Sequence, residues 1–515
     1  MLKQFVRAGC AIALLLAGSL SLNSQELGTI SFPNSGNAAA QAPFIEGVKD
    51  LHSFQFDEAA VAFQRAQKAD PSFAMAYWGE AMSHNHPLWA QQDADAAKKI
   101  LEKIAPTSDA RQGKAKLPKE KAFLKAIDVL YYAPGDKLAR DKAYSEALAA
   151  MYGQWPTDHE VATWYALSLL GTVRPTDTGF RRQALAASIA EKVFKENPKH
   201  PGAAHFIIHA FDDPDHAPLG LDAARAYAGI APAAAHALHM PSHIFVQRGM
   251  WEDVRKSNIV AYKSATELNA RMKLQEGRED FHTLGWLEYA NLMLGNIDEA
   301  KANVESAKAA ADRNKGNAAV TNGYLGMRAR LILETGNWER IALDAPPAPA
   351  APAAPDAHAG MPGMSMPTYG GNNTWTFIAG YGAAKLGDLK TAETAETMLR
   401  GAREKAEGGQ NPYSARPVAI MEKQVGALIR AARGQKDEAL KLAKEAMDIE
   451  LSMSPPSGPP DPIKPAPEFY GEMLLEAGRT NDAIAALELS LQRTPNRTPS
   501  VKALARAKAA GTALH

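Results

Sequence analysis

Small and apolar residues recur at helical spacing along almost the whole chain, and this limits the fold more than any other feature. Stretches such as Ala223 to Tyr227 and Ala439 to Ile449 place small or apolar side chains at i, i+3, i+4 and i+7. That is the stripe an amphipathic helix buries. There is no alternating pattern of the kind a half-buried strand needs. The helical segments are punctuated by Gly295-Asn296, Gly336-Asn337, Gly387-Asp388 and Gly478-Arg479. A glycine between two apolar helices predicts a left-handed cap on the first of them. At 515 residues the chain is too long for one compact core, so it must divide into domains or repeat.

It repeats. Ala59, Phe63, Ala66 and Pro71 stand at the intervals A-x3-F-x2-A-x4-P, and Tyr77 and Ala81 then open another helix. A clear copy lies near the C-terminus, where Tyr470, Gly471 and Leu474 precede Gly478, and Ala483, Leu487, Ser490 and Pro495 follow. Further copies pair Gly295 with Ala300 and Ala307, Gly387 with Ala392, and Gly434 with Ala439 and Ala446. The small residues let two helices approach closely, and the aromatic ring or leucine fills the space between them. These intervals resemble the tetratricopeptide repeat (TPR) over most of the chain. The segments His236 to Phe245 and Pro467 to Glu472 look like a group of exported bacterial TPR proteins. The resemblance implies an all-α, TPR-like α-solenoid, a right-handed superhelix of helix pairs, interrupted by a linker.

The expected organisation has four parts. Residues 1–24 read as a signal peptide, with Lys3 and Arg7 before an apolar run from Ala8 to Leu22. An N-terminal TPR-like array spans 40–343, a Pro/Ala/Met-rich linker 344–371, and C-terminal repeats 372–513. A second Pro-rich stretch, Ser454 to Pro467, runs straight into the last clear repeat and reads as an ordered connection. The destination is an exported one, periplasmic or secreted, with no transmembrane span after cleavage. The only cysteine is Cys10, inside the leader, so the mature chain has no disulfide and no thiolate ligand. Lys+Arg and Asp+Glu both number 57, and no basic patch suggests a nucleic-acid partner.

Histidine spacing carries the functional signal. His205 and His209 are four apart, as are His239 and His243, and the two pairs lie 34 residues apart, one TPR period. Residues four apart share a helical face. Asp212 and Asp213 continue the first pair's face up to Pro214, and His236 opens the next helix on a similar side. Pro241, inside the second pair, marks a helix start or kink. In TPR proteins this face of the first helix lines the concave groove. The resemblance therefore implies that His205, His209, Asp212, Asp213, His236, His239 and His243 point into it. His282, beside Phe281 at a helix start, is expected to face the same groove.

Three readings fit these residues. The imidazoles pair with backbone, aspartate or one another inside a tight superhelix. Or they line a groove for a peptide, a protein segment or a small ligand. Or His205, His209, His239 and His243 clamp Zn or Cu, since a histidine pair at i,i+4 suits either ion. The linker adds His358, Met361, Met364 and Met366, thioethers and an imidazole suited to Cu(I). His84 and His86 read as helix-end capping residues, and His216 as exposed. Trp78, Trp89, Trp164, Trp251 and Trp286 fall at packing positions.

No HExxH, GxSxG, P-loop or dinucleotide fingerprint is present, and no catalytic residue is assigned. The leading functional expectation is an exported binding or scaffold protein with a protein or peptide partner. The alternatives are a metal-binding protein, and a metal-dependent hydrolase with Asp212 or Asp213 as general base.

Overall fold

Helix follows helix from Ala38–His52 to Thr498–Thr512 in the computed structural model, which describes residues 26–177, 179–343, 371–409 and 411–512. Among those residues the single strand pair is Asn85–His86 with Gln91–Gln92. Each helix packs mainly on its neighbours in sequence. Ala38–His52 lies on Phe56–Ala69, Trp251–Met272 on Glu279–Leu294, and Ala415–Ala432 on Lys436–Leu451. The chain is an all-α, TPR-like solenoid. The caps form as the sequence predicts: Gly295 and Gly478 sit at φ +79° and +77°, where a side chain would be strained.

Close helix approach is built from rings seated on glycines. Phe63 is fully buried between Gly47 and Gly79. A Cβ added at Gly79 would lie 2.2 Å from the Phe63 ring, and one at Gly47 2.9 Å from it. In the last repeat a Cβ at Gly471 would lie 2.6 Å from Leu487. The repeat alanines Ala59, Ala66, Ala300, Ala307 and Ala446 are all fully buried, as the spacing requires. Trp78, Trp164, Trp251 and Trp286 are core residues, and Trp89 is half-buried against the core.

The array winds far enough for distant segments to meet. The Thr29 amide donates to the Lys199 carbonyl at 2.9 Å, and Ala38–His52 touches Pro201–Ala210. Arg278 pairs with Asp57 at 3.2 Å. Farther along, Trp251 Nε1 donates to the Asn496 carbonyl at 2.9 Å. Arg497, buried, joins Glu468 at 2.8 Å and Glu334 at 2.6 Å. Lys464 adds a second cation at 2.8 Å from Glu468, so the buried charges are paired. The Ser454 to Pro467 stretch is ordered: Gln247 Nε2 donates to the Pro456 carbonyl at 2.8 Å, and Gly458 packs under Trp286.

The expected signal peptide lies outside the described residues, as does nearly all of the expected linker, including His358, Met361, Met364 and Met366. No helix among the described residues is long and apolar enough to cross a membrane.

The seat of Phe63 gives a direct test. Gly79→Ala must displace a buried ring and is expected to destabilise the chain by about 1–3 kcal/mol. Gly153→Ala, with nothing within 4 Å of the added methyl, is expected to be neutral or mildly stabilising. Urea denaturation of the two variants beside the parent chain checks the contrast.

Candidate functional site

Four short helical segments bring six histidines together. Pro201–Ala210 starts behind His200, whose Nδ1 accepts from the Ala203 amide at 3.2 Å as the N-cap. It carries His205 and His209 one turn apart, with ring centroids at 4.7 Å. The next segment is broken where the proline predicts. Ala235–His239 ends, and Pro241–Gln247 begins with Pro241 at its first position. His236 and His239 come from the first piece and His243 from the second. Glu279–Leu294 supplies His282.

The six sort into two trios, each with nitrogens within 4.8 Å of one another. The first is His205, His209 and His236. His205 Nδ1 lies 2.7 Å from the His52 carbonyl oxygen. A carbonyl can only accept, so Nδ1 carries the proton and Nε2 is a bare lone pair. That Nε2 faces His236 Nε2 at 3.1 Å. His209 Nε2 is buried with no hydrogen-bond partner. Phe54 walls this trio, its ring centroid 4.3 Å from that of His205.

The second trio is His239, His243 and His282. Asn258 Nδ2 donates to the Val254 carbonyl at 2.8 Å, which turns its Oδ1 toward His239 Nδ1 at 2.7 Å. His243 Nδ1 lies 2.7 Å from Asp212 Oδ2. Both imidazoles therefore donate outward from Nδ1 and turn their Nε2 atoms inward. The His239 and His243 Nε2 atoms are 3.2 Å apart, and His282 Nε2 is 2.8 Å from His239 Nε2. Trp286 covers the side, 4.5 Å from the His243 ring. The trios adjoin, with ring centroids 6.0 Å apart for His209 and His243 and 6.4 Å for His236 and His239.

Burial keeps four of these rings, His205, His209, His236 and His239, neutral. Desolvation, reinforced by neighbouring histidines, holds His205, His209 and His239 well below the usual imidazole range. The same cause takes His236 down to about 3. Neutral imidazole is the form that binds metal.

A third cluster, His52, Glu160 and His200, escaped the sequence reading. Glu160 is fully buried and accepts from His52 Nε2 at 2.9 Å and His200 Nε2 at 3.2 Å. Burial alone would raise its pKa, but the two imidazoles outweigh that and bring it down to about 2. The cluster fixes His52, whose carbonyl in turn holds His205. Asn258 was also missed. No spacing marks these residues: His52 lies far from His205 in sequence and meets it only through the winding of the array.

Several expectations need correction. The histidines do not line an open groove: His205, His236, His239, His243 and His282 are buried, and His209 is half-buried with its free nitrogen enclosed. The four-ligand set His205, His209, His239 and His243 divides between two trios, completed by His236 and His282. Asp212 and Asp213 do not continue the helix, which ends at Ala210. Asp212 is taken up by His243, and Asp213 by His216 at 2.9 Å, so neither carboxylate is left over as a general base. His216 is half-buried, stacked on Phe180 with centroids 3.5 Å apart. His86 lies in the short strand pair over Phe56, and desolvation takes it down to about 4.

No protein-family model matches the sequence, and no curated protein matches it. Solved structures match along nearly its full length at low identity. A human IFIT1 dimer with m7Gppp-AAAA is 12% identical, with 95% of this chain and 93% of that chain covered and a TM-score of 0.36. Yeast Tom70 is 11% identical, with 92% and 96% covered and a TM-score of 0.34. The Cut9-Hcn1 hetero-tetramer of the APC/C is 14% identical, with 93% and 78% covered and a TM-score of 0.35. The fold assignment rests on this chain's own helix packing.

The lowered imidazoles set a pH dependence. Above about 6.5 a histidine is neutral in both folded and unfolded chains and contributes no slope. Below that the unfolded chain takes up protons that His86 and His236 refuse until about 4 and about 3. Stability of the metal-free chain is therefore expected to fall from pH 6.5 toward pH 4, by about 1.4 kcal/mol per pH unit for each such group. His236→Phe should make the fall shallower by about one group's share. Urea denaturation at pH 7, 6 and 5 measures both slopes; equal slopes for the two chains would contradict the assignment.

Proposed function

We propose that this chain is an exported metal-binding protein whose two histidine trios each hold one late transition-metal ion. The observation that carries the reading is the pair of inward-facing Nε2 atoms on His239 and His243, 3.2 Å apart, each ring donating outward from Nδ1 to Asn258 or Asp212. Two nitrogens that face each other at that distance need a cation between them, a proton or a metal ion. Nitrogens bound at ~2.0–2.1 Å to a tetrahedral ion sit about 3.3–3.4 Å apart, close to the 3.2 Å between His239 and His243, while His282 stands nearer at 2.8 Å from His239. The outer partners are also those a metal-ligating histidine needs, a carboxylate or amide oxygen that fixes tautomer and orientation.

The donor set selects the metal. Six imidazoles, with no thiolate and no carboxylate in the inner set, suit copper or zinc and disfavour magnesium and calcium. Burial then favours Cu(I). Two Zn²⁺ ions would bring a charge of +4 into an enclosed site, whereas two Cu(I) ions bring half of it. Three neutral imidazoles also satisfy Cu(I) without a fourth ligand. The solenoid supplies what such a site requires, rigid helices fixed by packing on both sides.

The test is elemental analysis of the untagged mature chain, purified and then reconstituted. Two copper or zinc ions per chain are expected, falling to about one in His239→Ala. Asp212→Asn should retain both sites but weaken one by about 10–100-fold, the effect of removing an orienting partner. If neither the purified nor the reconstituted chain holds metal, the metal reading fails. The histidines would then be packing groups, and peptide or protein capture by the solenoid would be the function to pursue.

A further inference from the structure

We infer that the two trios work as one dinuclear copper unit that takes up dioxygen between its ions. This rests on the metal reading above and adds to it a ligand class and a chemistry. Each trio supplies three nitrogens, so each ion keeps a coordination position for something the protein does not provide. The trios adjoin along two edges, His209 to His243 and His236 to His239, with ring centroids 6.0 and 6.4 Å apart. Ions held in adjoining trios would be neighbours, as a ligand that touches both requires.

Charge decides which small ligand fits. Two Cu(I) ions in neutral imidazoles carry a total of +2. When dioxygen binds, each copper gives up one electron and becomes Cu(II), the O–O bond order falls from two to one, and a copper–oxygen bond forms at each metal. The product, two Cu(II) and one peroxide, again totals +2. No proton moves and no outside reductant is consumed. The enclosed site therefore holds the same charge before and after, so the low-dielectric surroundings do not oppose the step. A zinc pair bridged by hydroxide would total +3 in the same surroundings, which is harder to bury.

One wall of the first trio is apolar. Phe54 touches His205, His209 and His236 on one side, with centroids at 4.3, 5.7 and 5.4 Å. Such a wall suits an uncharged diatomic molecule and not an anion. Phe54 is held at φ +54°, a conformation rare for a bulky residue and found where surrounding structure imposes it.

The experiment loads the metal-free chain with two equivalents of Cu(I) without oxygen, then admits air-saturated buffer. About one dioxygen is expected per copper pair by oxygen electrode. A peroxide-to-copper charge-transfer band should appear in the near ultraviolet, with no paramagnetic resonance signal because the bridge couples the two Cu(II) spins. His282→Ala disables one trio, and this variant, its helical circular dichroism unchanged, should keep one copper and lose the band. Two copper ions bound but uncoupled Cu(II) signals after oxygen, or no oxygen uptake, would overturn the dinuclear proposal and leave metal binding standing. A band that persists in His282→Ala would overturn it too. Failure to bind copper at all would remove both readings.

Discussion

A phenyl ring resting on two glycines sets the distance between helices in this protein. Phe63 fills the space over Gly47 and Gly79, and Leu487 does the same over Gly471. With the ring in place of two side chains, helix backbones approach closely, and each pair then presents a uniform face to the next. Repeated along the chain, that spacing winds the array tightly enough for Ala38–His52 to reach Pro201–Ala210. The histidine centre depends on this, because His52 holds His205 from a helix far away in sequence.

Burying so many imidazoles together would normally be a liability. The structure makes it tolerable by giving protons outward destinations. His205 donates to a carbonyl, His239 to Asn258 and His243 to Asp212. What is left inside is a set of bare nitrogens with their pKa values driven down by desolvation. Outward donation from Nδ1 is also what a metal-ligating histidine needs to present Nε2 to an ion. In the neighbouring Glu160 cluster the imidazoles instead donate from Nε2, and one carboxylate accepts from both.

Much of the architecture was legible from local pattern. Helix ends at Gly295 and Gly478, the break at Pro241, and the buried small residues Ala59, Ala66 and Ala446 all follow from rules that act within a turn or two of helix. The histidine pairs were legible for the same reason, since i,i+4 neighbours share a face whatever the rest of the chain does. The groove expectation failed because it borrowed the surface exposure of a wider superhelix. Asp213 and His216 were misplaced because the chain leaves the helix at Ala210 and turns, which lets them pair with each other.

Sequence by itself determined that this chain is a helical repeat, where its small and large residues interlock, and which histidines share a helical face. Only the tertiary structure decided that those faces are closed. It also sorted six histidines into two trios, gave His236 to one and His282 to the other, and set Asn258, Asp212 and the His52 carbonyl behind them. The division has a physical cause. Helical spacing fixes geometry over about four residues, while the separation of nitrogens on different helices depends on how every intervening pair packs.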